Sequence, residues 1–360
     1  MMYSTSIGLD VHAHSIKAAA LVHETGVLIE KSFGYDALAL CEWIKSLEQP
    51  VRCIYESGPT GFDLLRKLQA QDIVCSVGAV SKMLRPAGDK IKNDKRDAVF
   101  LARMLAMGNT IDVYVPTPEE EAARDLCRAR EDLRQDLTRA KHHLLKFLLR
   151  KGIIYEQGCA WTKTHKRWLE HLKFSYPDEQ MVFEEYLIAI GDLERKRERL
   201  DTVIKQRAQD LPWCESISRF TCLRGISTIT AFALCVEIGD FGRFKNASAF
   251  ASYLGLVPSL NESGGSSSRG RITRTGNTHV RKLLIEAAWH HRRQYRAITL
   301  SEQITCLPPA IAGKVTDANR RLHRRAVYLT ERKLPACKAN VAIARELAGW
   351  IWSLACMQVS

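Results

Sequence analysis

No two cysteines in this 360-residue chain stand at C-x-x-C spacing, and the eleven present are scattered and odd in number. That argues against both a disulfide framework and a cysteine-ligated zinc site. No H-E-x-x-H frame accompanies the close pairs His12/His14, His142/His143 and His290/His291, which read as solvated or core histidines. No apolar run approaches a membrane span, and no basic stretch followed by an apolar core opens the sequence, so a cytoplasmic, reduced location is expected. An excess of acid is missing too: 53 Lys and Arg face 40 Asp and Glu, a formal charge of +13. That balance suits a polyanionic partner. Internal repeats are absent, and the length provides for two or three domains.

What is present begins with short apolar strands. Residues 5–12, 16–22 and 26–33 read as three strands, with Glu24-Thr25-Gly26 at the second turn. Asp36 caps a helix to about Leu47, Arg52–Glu56 is a fourth strand, a helix runs to about Gln71, and Ile73–Val77 is a fifth strand. A looser basic stretch, Lys82–Lys92, leads to a helix opening at Asp94. Three antiparallel strands followed by alternating helices and strands is the order of the ribonuclease H-like fold.

In that order Asp10, on the first strand, and Glu56, ending the fourth, face one point. The last helix carries Asp94 and Asp97 three apart, at the head of the stripe Ala98, Leu101, Ala102 and Leu105. One acid in a first helical turn is favoured by the helix dipole. Two at the head of a buried stripe need compensation, and a divalent cation is the usual one. Four clustered carboxylates repel one another unless cations neutralise them, and two Mg²⁺ ions so held can activate and stabilise oxygens in phosphoryl transfer.

Beyond about residue 116 the pattern changes to long helices. Pro118–Gly152 carries Leu126, Leu133, Leu137, Ala140, Leu144 and Leu148, and Pro177–Gln209 carries Tyr186, Ile190, Leu193, Leu200 and Ile204, with Trp161–Leu172 between them. This predicts an antiparallel helical hairpin or coiled coil over 116–210, with two ordinary core helices as the alternative. Length and charged flanks favour a dimerising arm whose seam holds protomers together, since an exposed stripe of that length would be a liability on a monomer. In the region 211–360, Leu223–Ala231 has the form of a helix-hairpin-helix with Ser227 in place of its second glycine, so either phosphate binding or a structural turn is open. Asn261–Arg271 is a Gly/Ser loop set among cations: Arg269, Arg271, Arg274, Arg281 and Lys282 are the candidate nucleic-acid contacts. Ile304–Asn319 has little pattern, Arg320, Arg321, Arg324 and Arg325 form a basic run, and a final amphipathic helix covers about Asn340–Cys356.

Taken together, G-L-D-V at Gly8–Val11, Y-E-S-G-P-T-G at Tyr55–Gly61 and K-N-D-K-R-D-A at Lys92–Ala98 resemble the RuvC-like D-E-D-D domain of the IS110 ("IS one-ten") insertion-sequence transposases, a family that includes the Piv-type DNA invertases. Y-L-G-L-V-P, S-G-G, G-R-I-T-R-T-G-N and R-K-L-L-I-E-A-A within Leu223–Ala288 are similar to its C-terminal transposase domain, and Ala342–Trp352 to its closing helix. The resemblance implies domains at 1–115, 116–210 and 211–360 and a recombinase that excises and inserts a mobile element, or inverts a segment. It also implies Asp10, Glu56, Asp94 and Asp97 as catalytic, metal-binding acids, Mg²⁺ (or Mn²⁺) as the cofactor, and Ser263 as the nucleophile. Ser266–Ser268 are rivals, because Glu262 stands where a second serine is frequent. A structured noncoding guide RNA and a homo-oligomer, a dimer or a tetramer of paired dimers, are implied as partners beside DNA. The competing expectations are a RuvC-like nuclease using metal and water alone, a non-enzymatic nucleic-acid binder with structural acids, and an actin-like ATPase, which would need a second β-β-β unit that the chain lacks.

Overall fold

A computed structural model describes residues 3–79, 94–263, 266–293 and 302–358, with side chains for all of these except 94–95, 260–263, 266–269 and 302–303. The basic stretch Lys82–Lys92 and Asn93 lie outside the described residues. The chain forms two compact units, Met1–Pro116 and Thr117–Ser360.

The first unit is a five-stranded sheet with helices. Its strands are β1 (Thr5–Val11), β2 (Ser15–Val22), β3 (Leu28–Gly34), β4 (Val51–Glu56) and β5 (Val74–Gly78), and its helices α1 (Ala37–Lys45), α2 (Asp63–Gln69) and α3 (Asp94–Ala106). The order across the sheet is β3-β2-β1-β4-β5, with β1, β2 and β3 antiparallel and β4 and β5 parallel to β1. Asp36 starts α1 by accepting from the amides of Leu38 and Ala39, which satisfies two otherwise unpaired donors. Alternation along the strands divides the sheet into two faces. Ile7, Leu9, Cys53 and Tyr55 pack against α1 and α2 on one. Ala19 and Ile54, flanking Gly8 in the neighbouring strands, pack against α3 on the other.

α3 comes unusually close to that second face. A Cβ at Gly8 would lie 2.1 Å from the carbonyl oxygen of Ala98 and 2.5 Å from the amide nitrogen of Ala102. Glycine is required there by the approach of backbone to backbone.

The second unit begins with α4 (Pro118–Arg150), α5 (Lys163–Glu170) and α6 (Pro177–Arg207). Thr117 and Glu120 form a reciprocal capping box that fixes the start of α4. At ~1.5 Å per residue its 33 residues extend about 50 Å. Ion pairs Glu119–Arg207, Arg130–Asp201, Lys141–Glu194 and Lys151–Glu179 climb α4 while descending α6, so the two are antiparallel. Between them Leu137, Leu144, Phe147, Phe183 and Ile190 are buried. Of the apolar residues read as a seam joining protomers, Leu137, Leu144 and Ile190 are buried within the chain, while Leu133 and Leu200 are half-buried outside that cluster. The segment read as a turn between the long helices contains α5, capped by Thr162.

The remaining elements are α7 (Cys214–Thr221), α8 (Thr228–Ile238), α9 (Ala247–Tyr253), β6 (Pro258–Ser263), β7 (Ser266–Ile272), α10 (Thr278–Ala288), α11 (Glu302–Thr305), α12 (Pro309–Glu331) and α13 (Ala336–Ala355). Their common core includes Phe220, Phe232, Phe250, Leu284, Leu322 and Leu347, joined by Ala123, Cys127 and Ile204 from the bases of α4 and α6. The low-pattern stretch ending at Asn319 belongs mostly to α12, where Ile311, Val315, Ala318 and Leu322 are buried at helical spacing. In the turn between α7 and α8, Asn319 accepts from the Arg224 amide and donates to the Cys222 carbonyl, while Ser227 caps α8. Those turn groups serve the fold, in keeping with the structural alternative.

Replacing Gly8 by Ala is expected to destabilise the first unit by about 1–3 kcal/mol through overpacking. Gly34→Ala, where an added Cβ meets nothing within 4 Å, is expected to be near neutral. Denaturant unfolding of both variants checks this, and equal stabilities would contradict the contact.

Candidate active site and nucleic-acid interface

In the first unit the β1–β4 register runs to Leu9 opposite Tyr55, so Asp10 and Glu56 are the next residues on adjacent parallel strands. Gly8 and Ile54, two positions earlier, mark the face covered by α3. Side chains two apart share a face, and Asp10 and Glu56 therefore project on the α3 side at the strand ends. Glu56 is exposed, whereas the Asp10 side chain is mostly covered and pairs at 3.1 Å with His12 Nε2. Lys17 is its cross-strand neighbour. Asp97 is half-buried in the turn of α3 leading to Ala98, whose carbonyl lies over Gly8. Asp94 is the first residue of α3, and its side chain lies outside the described residues.

Among the described residues no group of three His, Cys, Asp or Glu side chains is close enough to hold a metal. The structure thus brings Asp10 beside Glu56 and lays the α3 turn of Asp97 on the same sheet face, without closing a ligand set. The donors on offer are carboxylate oxygens, the chemistry that hard divalent cations take. Sequence reasoning missed His12 as a partner of Asp10, although alternation puts residues 10 and 12 on one side of the chain.

In the second unit the Gly/Ser segment is a β-hairpin, with Glu262 opposite Ser267 and Ser263 opposite Ser266. This differs from the loop expected. A Gly-Gly pair between two short runs is a hairpin signal that Gly/Ser composition conceals. Ser263 is thus the last paired residue of β6. Its side chain, those of the rival Ser266–Ser268, and that of Arg269 lie outside the described residues.

The base of the hairpin is held by backbone packing. Thr273 donates to the Val257 carbonyl and Arg274 to that of Gly255, and a Cβ at Gly276 would fall 1.8 Å from the Tyr253 carbonyl oxygen. This is the physical content of the Y-L-G-L-V-P and T-G-N segments: two backbones interlock where side chains cannot fit. Arg281 is buried, and its Nη1 donates at 2.8 Å to both the Leu254 and Thr275 carbonyls. That guanidinium holds the hairpin base together. Lys282 is exposed and pairs with Glu131 at 2.8 Å. Arg271 and Arg274 lie on the surface.

Behind the hairpin base lies a polar cluster that sequence reasoning did not find. Glu237, its carboxylate almost fully buried, accepts from Arg128 Nε at 2.9 Å and Nη2 at 3.1 Å, and from Asn277 Nδ2 at 2.8 Å, with His279 Nδ1 at 3.4 Å. Asn277 also caps α10 through Oδ1. Burial pushes the Glu237 carboxyl upward, but the hydrogen bonds from His279, Arg128 and Asn277 outweigh it and hold the pKa at about 2. Glu131, bonded to Arg134 and Lys282 against a lesser burial, is also held at about 2. A cavity of about 380 Å³ opens beside the cluster, lined by Arg128, Glu131, Asp132, Glu237, Asn277 and His279. The one available signal was that Glu237 is the only charged residue in α8.

A carboxylate depressed in the folded state adds stability that is complete above its unfolded pKa and lost as pH falls through its folded one. For Glu237 that window runs from about 4.5 down to about 2. Glu237→Gln is therefore expected to shallow the acid limb of the melting temperature over this range. Glu237→Leu is expected to cost about 1–3 kcal/mol at neutral pH, because Asn277 loses its buried acceptor. Thermal melts from pH 5 to 2 check both, and an unchanged acid limb in Glu237→Gln would contradict the assignment.

Comparison with known proteins bears on both units. Residues 218–301 match the family model described as "Transposase IS116/IS110/IS902 family", and residues 7–152 match a second model, described as "Transposase", for the IS110 type with a DEDD signature. The chain is 34% identical over 305 residues to a protein designated transposase y4qE from Sinorhizobium fredii, covering 84% of this chain and 74% of that one. It is 32% identical over 334 residues to the transposase for insertion sequence element IS1533 of Leptospira borgpetersenii, covering 89% and 94%. With the transposase for insertion sequence element IS1328 of Yersinia enterocolitica it shares 26% identity over 233 residues, covering 62% and 66%.

Proposed function

The chain belongs to the IS110 family of transposases, and from that premise we propose a recombinase with two chemical centres, one carboxylate and one serine. The first is Asp10, Glu56, Asp94 and Asp97 on a ribonuclease H-like (RuvC-like) sheet; the second is Ser263 at the end of β6. The observation that carries the first centre is the register placing Asp10 beside Glu56 on the face crossed by α3. The strand order β3-β2-β1-β4-β5 supports the fold assignment.

The carboxylates would hold divalent cations, Mg²⁺ or Mn²⁺, which when bound polarise phosphate oxygens and lower the pKa of a coordinated hydroxyl. The role of the chain's own groups follows from their chemistry. A serine hydroxyl is a weak nucleophile at neutral pH and needs help. Its oxygen attacks a DNA phosphorus, forming a phosphoserine bond as the bond to the neighbouring deoxyribose oxygen breaks and that oxygen takes a proton. A strand hydroxyl later attacks the same phosphorus and releases serine, so rejoining conserves the bond and needs no ATP. Arg271 and Arg274, with Arg269, are placed in sequence to contact phosphate oxygens. Arg281 acts by fixing the hairpin base, and Lys282 lies alongside it. DNA as substrate, a structured noncoding guide RNA, a homo-oligomer and a cytoplasmic setting complete the reading.

The test is a denaturing gel of protein incubated with labelled DNA spanning the ends of the genomic segment that carries the gene, with RNA transcribed beside it. A covalent adduct is expected that disappears in Ser263→Ala, persists in Ser266→Ala and Ser267→Ala, and is lost with EDTA. Asp10→Asn is expected to abolish strand transfer while leaving the melting temperature and DNA binding near wild type. An adduct retained in Ser263→Ala would remove that serine from the reaction. Cleavage to free ends without any adduct would favour a nuclease that uses metal and water.

A further inference from the structure

At the far end of the helical hairpin, away from the hairpin base of β6 and β7 in sequence and in packing, α4, α5 and the segment between them enclose a cavity of about 390 Å³. Leu145, Leu149, Ile154, Tyr155, His165 and Trp168 are among its lining residues. Its size lies within the range of sites for small organic groups, about 300–1,000 Å³. Two features set it apart from an ordinary gap in packing.

The first is unsatisfied polarity. His165 is fully buried, and neither ring nitrogen has a hydrogen-bond partner; the buried Tyr155 hydroxyl has none either. The His165 ring is held edge-on by Tyr155 at 4.7 Å and by Trp161 at 5.3 Å between centroids, with Trp168 at 5.4 Å. Burial lowers the pKa of this imidazole, so it stays neutral, with one N–H donor and one lone-pair acceptor. Leaving such groups unpaired is costly, and native structures rarely do so without a reason.

The second feature is charge. Residues 141–173 contain eight Lys and Arg against two Glu. Lys141, Lys151 and Lys166 pair with acids of α6. Lys146, Arg150, Lys163, Arg167 and Lys173 are exposed and form no ion pair among the described residues. An aromatic, apolar pocket with a donor and an acceptor in its floor, set in a cationic surface, has the chemistry of single-strand recognition, in which cations track the backbone and aromatics stack on bases.

We propose that this cavity receives one unstacked base of a single-stranded nucleic acid. The base would stack on Trp168 and Tyr155, and a rotation of those rings that uncovers His165 would let its edge pair with the ring nitrogens, while the phosphates on either side lie along Lys146, Arg150 and Lys163. The inference rests on the reading that this protein works on nucleic acid, and it assigns the tip of the helical hairpin a contact of its own. RNA and DNA strands offer the same base faces, so both are arms of the test.

Full-length protein is titrated with fluorescent single-stranded RNA, single-stranded DNA and duplex DNA at one salt concentration. Leu149→Trp plugs the cavity from an exposed position and leaves the core untouched. It is expected to weaken single-strand binding about tenfold, within the range for one stacked base, and to leave duplex binding unchanged. His165→Phe keeps the ring packing and is expected to weaken single-strand binding in the same direction. Oligonucleotides carrying 4-thiouridine or 4-thiothymidine are expected to crosslink to Tyr155 or Trp168, mapped by mass spectrometry; the more strongly crosslinking polymer identifies the ligand. An abasic residue at the crosslinked position should remove the difference between wild type and Leu149→Trp. Wild-type affinity in Leu149→Trp, or crosslinks wholly outside residues 145–168, would overturn the proposal while duplex binding keeps the broader reading intact. Absence of binding to any nucleic acid would overturn both. A fall in molecular mass in Leu149→Trp without nucleic acid would make the cavity the seat of a second copy of the chain and would likewise overturn it.

Discussion

The carbonyl of Ala98 and the amide of Ala102 occupy the space that any side chain at position 8 would need. Much of the first unit depends on this contact. Pressed onto β1, α3 also covers the apolar side chains of Ala19 and Ile54 on the flanking strands. The acids at the strand ends then project on the face that the helix packs against. Backbone-to-backbone packing is less forgiving than packing between side chains, because neither partner can change rotamer to relieve a clash. A carboxylate centre built on such a contact has its spacing set by main chain on both sides. Precision of that kind is what positioned phosphoryl chemistry requires.

The positions of Asp10 and Glu56 were legible because strand alternation and parallel pairing are local rules: once β1 and β4 are adjacent, the register follows from their lengths. Helix starts were legible for the same reason. Asp36 announces its helix with a side chain that bonds the first turn; Thr117 with Glu120 does the same for α4, a signal that the reading from Pro118 did not use. The Glu237 cluster was not legible. Its partner Arg128 lies 109 residues earlier, and nothing in either neighbourhood specifies that separation. Sequence pattern shows an acid alone in an apolar helix and leaves its partner undetermined. α12 was obscured differently, since small residues dilute its buried stripe around Gly313 and Ala318. The stripe reappears only when the whole helix is laid against α13.

The helical hairpin shows how a heptad-like pattern is met by a returning helix of the same chain. A heptad-like seam with charged flanks fits a partner chain or a returning helix equally well. Here the ion pairs from Glu119–Arg207 to Lys151–Glu179 match in antiparallel order along both helices. Each exposed pair contributes little to stability, on the order of 0–1 kcal/mol. As a set they favour one register, because a slip of one turn would break these pairings and bring Arg130 beside Arg197 or Lys205. Apolar burial of Leu144 and Ile190 supplies the cohesion and the charges supply the alignment.

Formal charge is a poor map of where a basic protein meets a polyanion, and the second unit shows why. Arg128, Arg134 and Lys282 are engaged by Glu237 and Glu131, and Arg281 by two carbonyls, so four cations beside the serine hairpin are committed to the fold. Each engaged acid stays ionised throughout the physiological range, since the same bonds hold both near a pKa of about 2. Their field is therefore cancelled locally at every pH where the protein works. Among the described residues, cations left to act at a distance include Arg271 and Arg274 by the hairpin, the cluster at the tip of α4 and α5, and Arg324 and Arg325 on α12. A partner steered by charge meets those surfaces first, because unscreened attraction extends only about 10 Å at ordinary ionic strength.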